Sequence, residues 1–127
     1  MIVQGNLYKD FHKQFIGKGI QACISFGLLE HFTRSDLKKV IRKQFLIAPL
    51  LICIVPIKTP ATLKTFEAEN KPEGNIDKYG IYRNFWTLDF WEKEIFKEHH
   101  VIDKDFRQNQ EPKGLIDTLT LAVRKEK

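Results

Sequence analysis

At 127 residues and 43% apolar content, the chain is long enough for one core and too short for two, so a single domain over 1–127 is expected. Lys and Arg outnumber Asp and Glu by 21 to 16, a formal charge of +5, which favours a polyanion without requiring one. The clusters Lys38, Lys39, Arg42, Lys43 and Arg124, Lys125, Lys127 are small and read as solvated faces rather than a nucleic-acid stripe. Cys23 and Cys53 lie in separate apolar runs, which argues against a disulfide framework and for two small buried hydrophobes. The longest apolar run, 45–57, contains Pro49 and Pro56 and falls short of the roughly 20 residues a membrane-spanning helix needs. No basic-then-apolar leader opens the chain, so a cytoplasmic protein is expected.

In chain order, 1–6 reads as the end of a strand entering a turn at Gly5-Asn6. Residues 7–19 carry Tyr8, Phe11 and Phe15 at helical spacing before Gly17 and Gly19, which predicts a helical turn. The run 20–26 is short and mostly apolar and predicts a buried strand. It leaves through Gly27 into Leu28-Leu29-Glu30-His31-Phe32. Residues 35–45 place Leu37, Val40, Ile41 and Phe45 on one stripe, a crossover helix that Thr33 or Ser35 can cap. The continuous apolar run 50–57 predicts a strand buried on both faces.

The stretch 58–83, with Pro60, Pro72, Gly74 and Gly80, reads as a long loop or lid. Thr87 then caps a helix over 88–98 with Leu88, Trp91 and Ile95 on one face. Strands follow at 101–106 and 115–124, joined by a turn over 109–114. That turn is too short for a parallel crossover, so the last strand should be antiparallel to its neighbour. Alternating strands and amphipathic helices give an α/β sheet with helices on its faces.

In such sheets the ligand crevice lies just beyond the carboxyl ends of the strands, where Glu30 and His31 fall. Both also suit the bland role of capping and orienting the next turn. Tyr79, Tyr82, Trp86 and Trp91 could wall a substrate, though Trp91 shares its helical face with core residues. His99 and His100 beside Glu98 lack a third ligand at a recognisable spacing, so no metal is expected.

Several stretches resemble class I S-adenosylmethionine-dependent methyltransferases. Ser25-Phe26-Gly27-Leu28-Leu29-Glu30-His31-Phe32 is similar to the motif ending that family's fourth strand, and 50–56, closing on Val55-Pro56, to its fifth. Tyr79-Gly80, Arg83, Trp86 and Trp91 resemble the stretch before its last long helix, and 101–106 with 118–125 its terminal hairpin. The resemblance implies a partial Rossmann-like sheet, mostly parallel with an antiparallel carboxy-terminal strand. It implies S-adenosylmethionine as cofactor and a small-molecule methyl acceptor.

Carried over by position, the resemblance makes His31 and Glu30 catalytic and Asn6, Ser25 and Gly27 cofactor-binding. Tyr82, Arg83 and Trp86 become substrate-binding. The family's glycine-rich loop after the first strand and its ribose-binding acidic residue have no counterpart here. Gly5-Asn6 stands where the family often has Gly-Asp, and Gln21 where it often has aspartate. The chain therefore looks like the carboxy-terminal half of a methyltransferase, truncated or inactive alone. Its strand 20–26 would be an apolar edge that invites a homodimer or a partner fragment. The alternative is a non-catalytic α/β module that binds a protein or nucleic-acid partner.

Overall fold

The computed structural model describes residues 9–108 and 116–126. The first strand expectation (1–6), with Asn6, and the turn expected over 109–114 lie outside them. The helical turn expected over 7–19 is a 3₁₀ helix, Asp10–Phe15, with Phe11 edge-on to Phe15 at 5.2 Å.

Strand β1 (Ala22–Phe26) follows, and a 3₁₀ turn, Leu29–His31, leads to helix α1 (Arg34–Ile47). Of the two candidate caps it is Thr33 that acts: its Oγ1 accepts from the Asp36 amide at 3.3 Å. The buried stripe is the expected one, Leu37, Val40, Ile41 and Phe45, joined by Gln44. The chain becomes extended at Ala48, the residue before Pro49, where proline disfavours helix. It then enters β2 (Leu50–Pro56), parallel to β1 in the register Ala22↔Leu50 to Phe26↔Ile54.

The segment 58–83 is not the structureless loop its Pro and Gly content suggests. Helix α2 (Pro60–Phe66) starts on a Thr59 cap with Pro60 in its first turn, and a short hairpin follows, β3 (Asn75–Ile76) with β4 (Tyr82–Arg83). Two buried asparagines make this possible by meeting backbone groups that water would otherwise satisfy. Asn75 bonds both the amide and the carbonyl of Lys71, and Asn84 accepts from the Gly74 amide.

The helix expected over 88–98 begins as α3 (Leu88–Phe90), capped by Thr87, and widens into a π-helical turn, Trp91–Ile95. The Phe96 amide donates to the Trp91 carbonyl at 2.9 Å, the five-residue spacing of a π turn. Strands β5 (His100–Arg107) and β6 (Thr118–Arg124) complete a sheet ordered β1-β2-β6-β5.

β1 and β2 are parallel and β6 is antiparallel to both of its neighbours, so β5 points the same way as β1 and β2; three of the four described strands share one direction and the last strand, β6, runs against them, as expected. The described helices cover one face of this sheet. On the covered face Leu51, Cys53, Val55, Leu119, Leu121 and Val123 are all 0% exposed, packed with residues of α1, Trp91 and Phe96. On the opposite face Ile24 is 70% and Phe26 78% exposed, and Leu50, Ile52 and Ile54 are half-buried. Among the described strands β1 is an edge, as the resemblance implied, with Ile24 and Phe26 open to water rather than buried, and β2 is fully buried on one face only.

A polar clasp ties α2 to the approach to β6. Thr59 Oγ1 donates to Asp117 Oδ2 at 2.5 Å and accepts from the Thr62 amide, while the Asp117 amide donates to Thr62 Oγ1 at 3.0 Å. Replacing Thr59 by Val should lower stability in urea denaturation by about 1–3 kcal/mol, because Asp117 is left buried with an unmet oxygen. Thr59→Ser, which keeps the hydroxyl, should remain within about 0.5 kcal/mol of the parent.

Candidate functional site

Gly27 leaves β1 with φ +61°, a backbone conformation that side chains disfavour, and its amide still bonds the Ile54 carbonyl at 2.9 Å. This sharp exit turns the chain so that the next residues fold back over the end of the sheet. Leu29 drops into the core, and Glu30 beside it is drawn to 1% exposure. The Asn84 amide donates to the Glu30 carbonyl at 2.7 Å, and Asn84 Nδ2 to the Phe32 carbonyl at 2.6 Å. The hairpin is thereby stitched onto the Leu-Glu-His turn.

Burying a carboxylate is costly without a cation. Arg83, on β4, supplies one: its Nη1 lies 3.6 Å from Glu30 Oε2, and its Nε donates to Asp77 Oδ2 at 2.6 Å. The guanidinium also lies over the Phe66 ring, 4.4 Å from the centroid. Asp77 accepts from the Tyr79 and Ile81 amides at 2.8 and 3.0 Å. One arginine therefore serves two buried carboxylates, and the two fare differently.

Burial pushes the Asp77 carboxyl up, but the Ile81 amide, Arg83 and the Tyr79 amide together outweigh it and hold Asp77 below the ordinary range. For Glu30, burial dominates and raises the carboxyl, against the smaller opposing effects of its own amide, His31 and Arg83. Glu30 Oε1 has no hydrogen-bond partner among the described residues.

His31 Nδ1 lies 2.9 Å from the Tyr82 carbonyl. A carbonyl only accepts, so the bond assigns the proton to Nδ1 and leaves Nε2 as the basic nitrogen. Nε2 is 3.7 Å from Glu30 Oε2, and the His31 side chain is 27% exposed. His31 is the most exposed member of the cluster, since Glu30 and Asp77 are buried.

Of the residues singled out in the sequence, Glu30, His31, Arg83 and Tyr82 come together; Tyr82 contributes its carbonyl, and its ring covers Gly74. Ser25 is buried on β1, its Oγ without a partner among the described residues. Trp86 sits apart from the cluster in the core, 3% exposed, stacked on Phe90 at 4.9 Å and edge-on to Trp91, with Nε1 donating to the Pro72 carbonyl. Trp91 is fully buried and Tyr79 is 68% exposed. His99 Nδ1 bonds the Lys125 carbonyl, and His100 begins β5. Asp77 and Asn84 escaped the sequence reading. The signal for Asp77 is its place before Tyr79-Gly80, where an Asp side chain caps a tight turn.

The two shifted carboxyls make stability depend on pH in opposite senses. Asp77, lowered, stabilises the fold at neutral pH, and that contribution disappears as pH falls below 3.8 through its folded value. Glu30, raised, disfavours the fold as pH climbs above 4.5 and the buried group loses its proton. Urea midpoints measured from about pH 2 to 7 should show a weaker acid loss in Asp77→Asn and a weaker decline on the rising side in Glu30→Gln. Arg83→Met strands both carboxylates and should cost about 3–5 kcal/mol, part of it recovered by adding Glu30→Gln.

No protein-family model and no curated relative matches the sequence. Solved structures do match the fold. A SAM-dependent methyltransferase from Methanosarcina mazei superposes on 96% of this chain and 65% of its own, with a TM-score of 0.64 and 11% identity. One from Anabaena variabilis covers 89% of this chain and 52% of its own, at a TM-score of 0.58 and 10% identity. The methyltransferase domain of bacterial CtHen1 covers 93% and 57%, at 0.50 and 19%. The chain thus spans less than two thirds of each of these structures. At such identities the likeness is one of fold: the described residues adopt a class I methyltransferase-like α/β fold.

Proposed function

We propose that this chain is the carboxy-terminal half of a SAM-dependent methyltransferase unit that acts on a small-molecule acceptor. The observation that carries the reading is the Glu30-His31 cluster placed directly after the carboxyl end of β1, on a methyltransferase-like sheet that closes with an antiparallel strand. S-adenosylmethionine, when bound, supplies an electrophilic methyl group on a sulfonium, open to in-line displacement.

The residues present fit one end of that cofactor. The orphaned Ser25 Oγ and the half-buried turn at Gly27, where the nearest atom to an added Cβ is Glu30 Oε2 at 3.9 Å, suit its methionine end. The chain has no glycine-rich loop for the adenosine end, which we therefore assign to strands pairing with β1. His31 Nε2 would take the acceptor's proton, with Glu30, Arg83 and Asp77 holding the imidazole in place. Two free thiols, Cys53 fully buried and pushed up to about 12, accord with a reducing cytoplasm.

The two sheet edges support an absent partner segment on one side. β5 is guarded: it carries charges at Asp103, Lys104, Asp105 and Arg107, has a register shift between Val101 and Asp103, and ties Lys104 to Glu92 at 3.1 Å. Edges protected in this way resist further pairing. β1 has no such guard and presents Ile24 and Phe26 instead. That same observation favours the second reading, a non-catalytic module binding a protein through this edge. A homodimer is a third occupant, and nucleic acid has the least support.

Titrating the labelled chain with S-adenosylhomocysteine and following amide shifts separates these readings. A half site should give saturable shifts at Ser25, Gly27 and His31 with a dissociation constant of about 1 mM. No localised shift up to about 10 mM would sink the cofactor reading and leave the interaction module. In the assembled unit, His31→Ala should lower turnover about 10²–10⁴-fold while leaving S-adenosylhomocysteine affinity unchanged.

A further inference from the structure

A second concavity lies at the other end of the sheet. The Lys125 amide bonds the Pro49 carbonyl at 3.1 Å, which marks the amino end of β2, whereas Glu30 and His31 follow the carboxyl end of β1. Here a groove of about 310 Å³ opens between α1 and the turn after the π-helical segment, within the size range of small-molecule sites.

Its floor is apolar, built on Ile41 and Phe45, both nearly fully buried, with Ile95 opposite. His99 forms one wall. Its ring stands 4.7 Å from that of Phe45 at a 33° tilt, and its Nδ1 is anchored on the Lys125 carbonyl at 2.5 Å, so the imidazole is a fixed shelf.

The rim is cationic, with four Lys or Arg residues against two carboxylates. Glu94 is already engaged by Arg34 at 3.8 Å, while Glu98 remains on the rim. Lys38 and Arg42 stand one helical turn apart on α1, and neither makes an ion pair with another described residue. Like charges at this spacing repel, and Lys125 adds a third cation across the groove. An anion between them relieves the repulsion, and an apolar body attached to it covers the exposed Leu46 and the outer side of the His99 ring.

We propose that this groove binds a small anion with a planar apolar body, an aryl phosphate or aryl carboxylate, independently of the methyl-transfer site. Lys38 and Arg42 hold the anionic group; Leu46, Ile95 and His99 hold the ring. Charge-assisted bonds fix the one end and apolar contact the other, so neither half of the ligand suffices alone.

The test is a nuclear magnetic resonance titration of the full chain with phenyl phosphate, with inorganic phosphate and benzyl alcohol run separately. Saturable shifts at the His99 ring and in α1 are expected, with phenyl phosphate bound about tenfold more tightly than either half-ligand. The double variant Lys38→Gln/Arg42→Gln, both exposed positions, should weaken it about tenfold, while Lys39→Gln, which does not line the groove, should leave it unchanged. Equal binding of phosphate alone, equal binding of benzyl alcohol alone, no saturable shift by about 10 mM, or an unaffected double variant would each overturn the proposal.

Discussion

A sheet that buries one face and leaves the other to water is the constraint on which the rest of this structure depends. The covered face is dense: Leu51, Cys53 and Val55 from β2 meet Leu119, Leu121 and Val123 from β6, and α1, Trp91 and Phe96 close over them. This side alone forms a continuous core. The other side carries Ile24, Phe26, Leu50, Ile52 and Ile54, an apolar surface on β1 and β2 that none of the described helices covers. Burying such residues yields about 25 cal/mol for each Å² of apolar surface removed from water. Apolar surface is therefore left open on β1 and β2, whereas β5 is charged and bulged.

The Glu30-His31 cluster sits where the covered core ends. Glu30 is buried by the same turn that puts Leu29 into the core, and its charge is tolerated because the β3–β4 hairpin brings Arg83. Arg83 is in turn fixed by Asp77, whose carboxylate is held by two backbone amides. The hairpin is thus a structural requirement of the Leu-Glu-His turn. His31 inherits its orientation from both, through the Tyr82 carbonyl and the neighbouring Glu30.

Much of this was legible in the residues. The α1 stripe, the Thr33 and Thr87 caps, and the in–out alternation of Leu119, Leu121 and Val123 follow from periodicity and capping chemistry, which are local. Glu30 and His31 could be found because a strand ending in glycine predicts where its exit points. The pairing of Arg83 with Glu30 could not, since it spans more than fifty residues and depends on a hairpin hidden by Pro and Gly signals in 58–83. Asn75 and Asn84 made that segment regular, and buried asparagines look like loop residues in a sequence. Trp86 misled in the opposite direction: a tryptophan near a site motif resembles a substrate wall, yet Phe90 and Trp91 enclose it. The run 50–57 predicted burial on both faces because composition reports what a strand can bury, not what is present to cover it.

The open face and edge of β1 are best examined by sedimentation equilibrium of the chain beside a Phe26→Lys variant. Phe26 is 78% exposed, so the substitution removes apolar surface and puts a charge on the edge without disturbing the core. The account predicts self-association of the parent chain at about 10–100 µM and a monomeric variant. A parent chain that stays a monodisperse monomer throughout that range would contradict it.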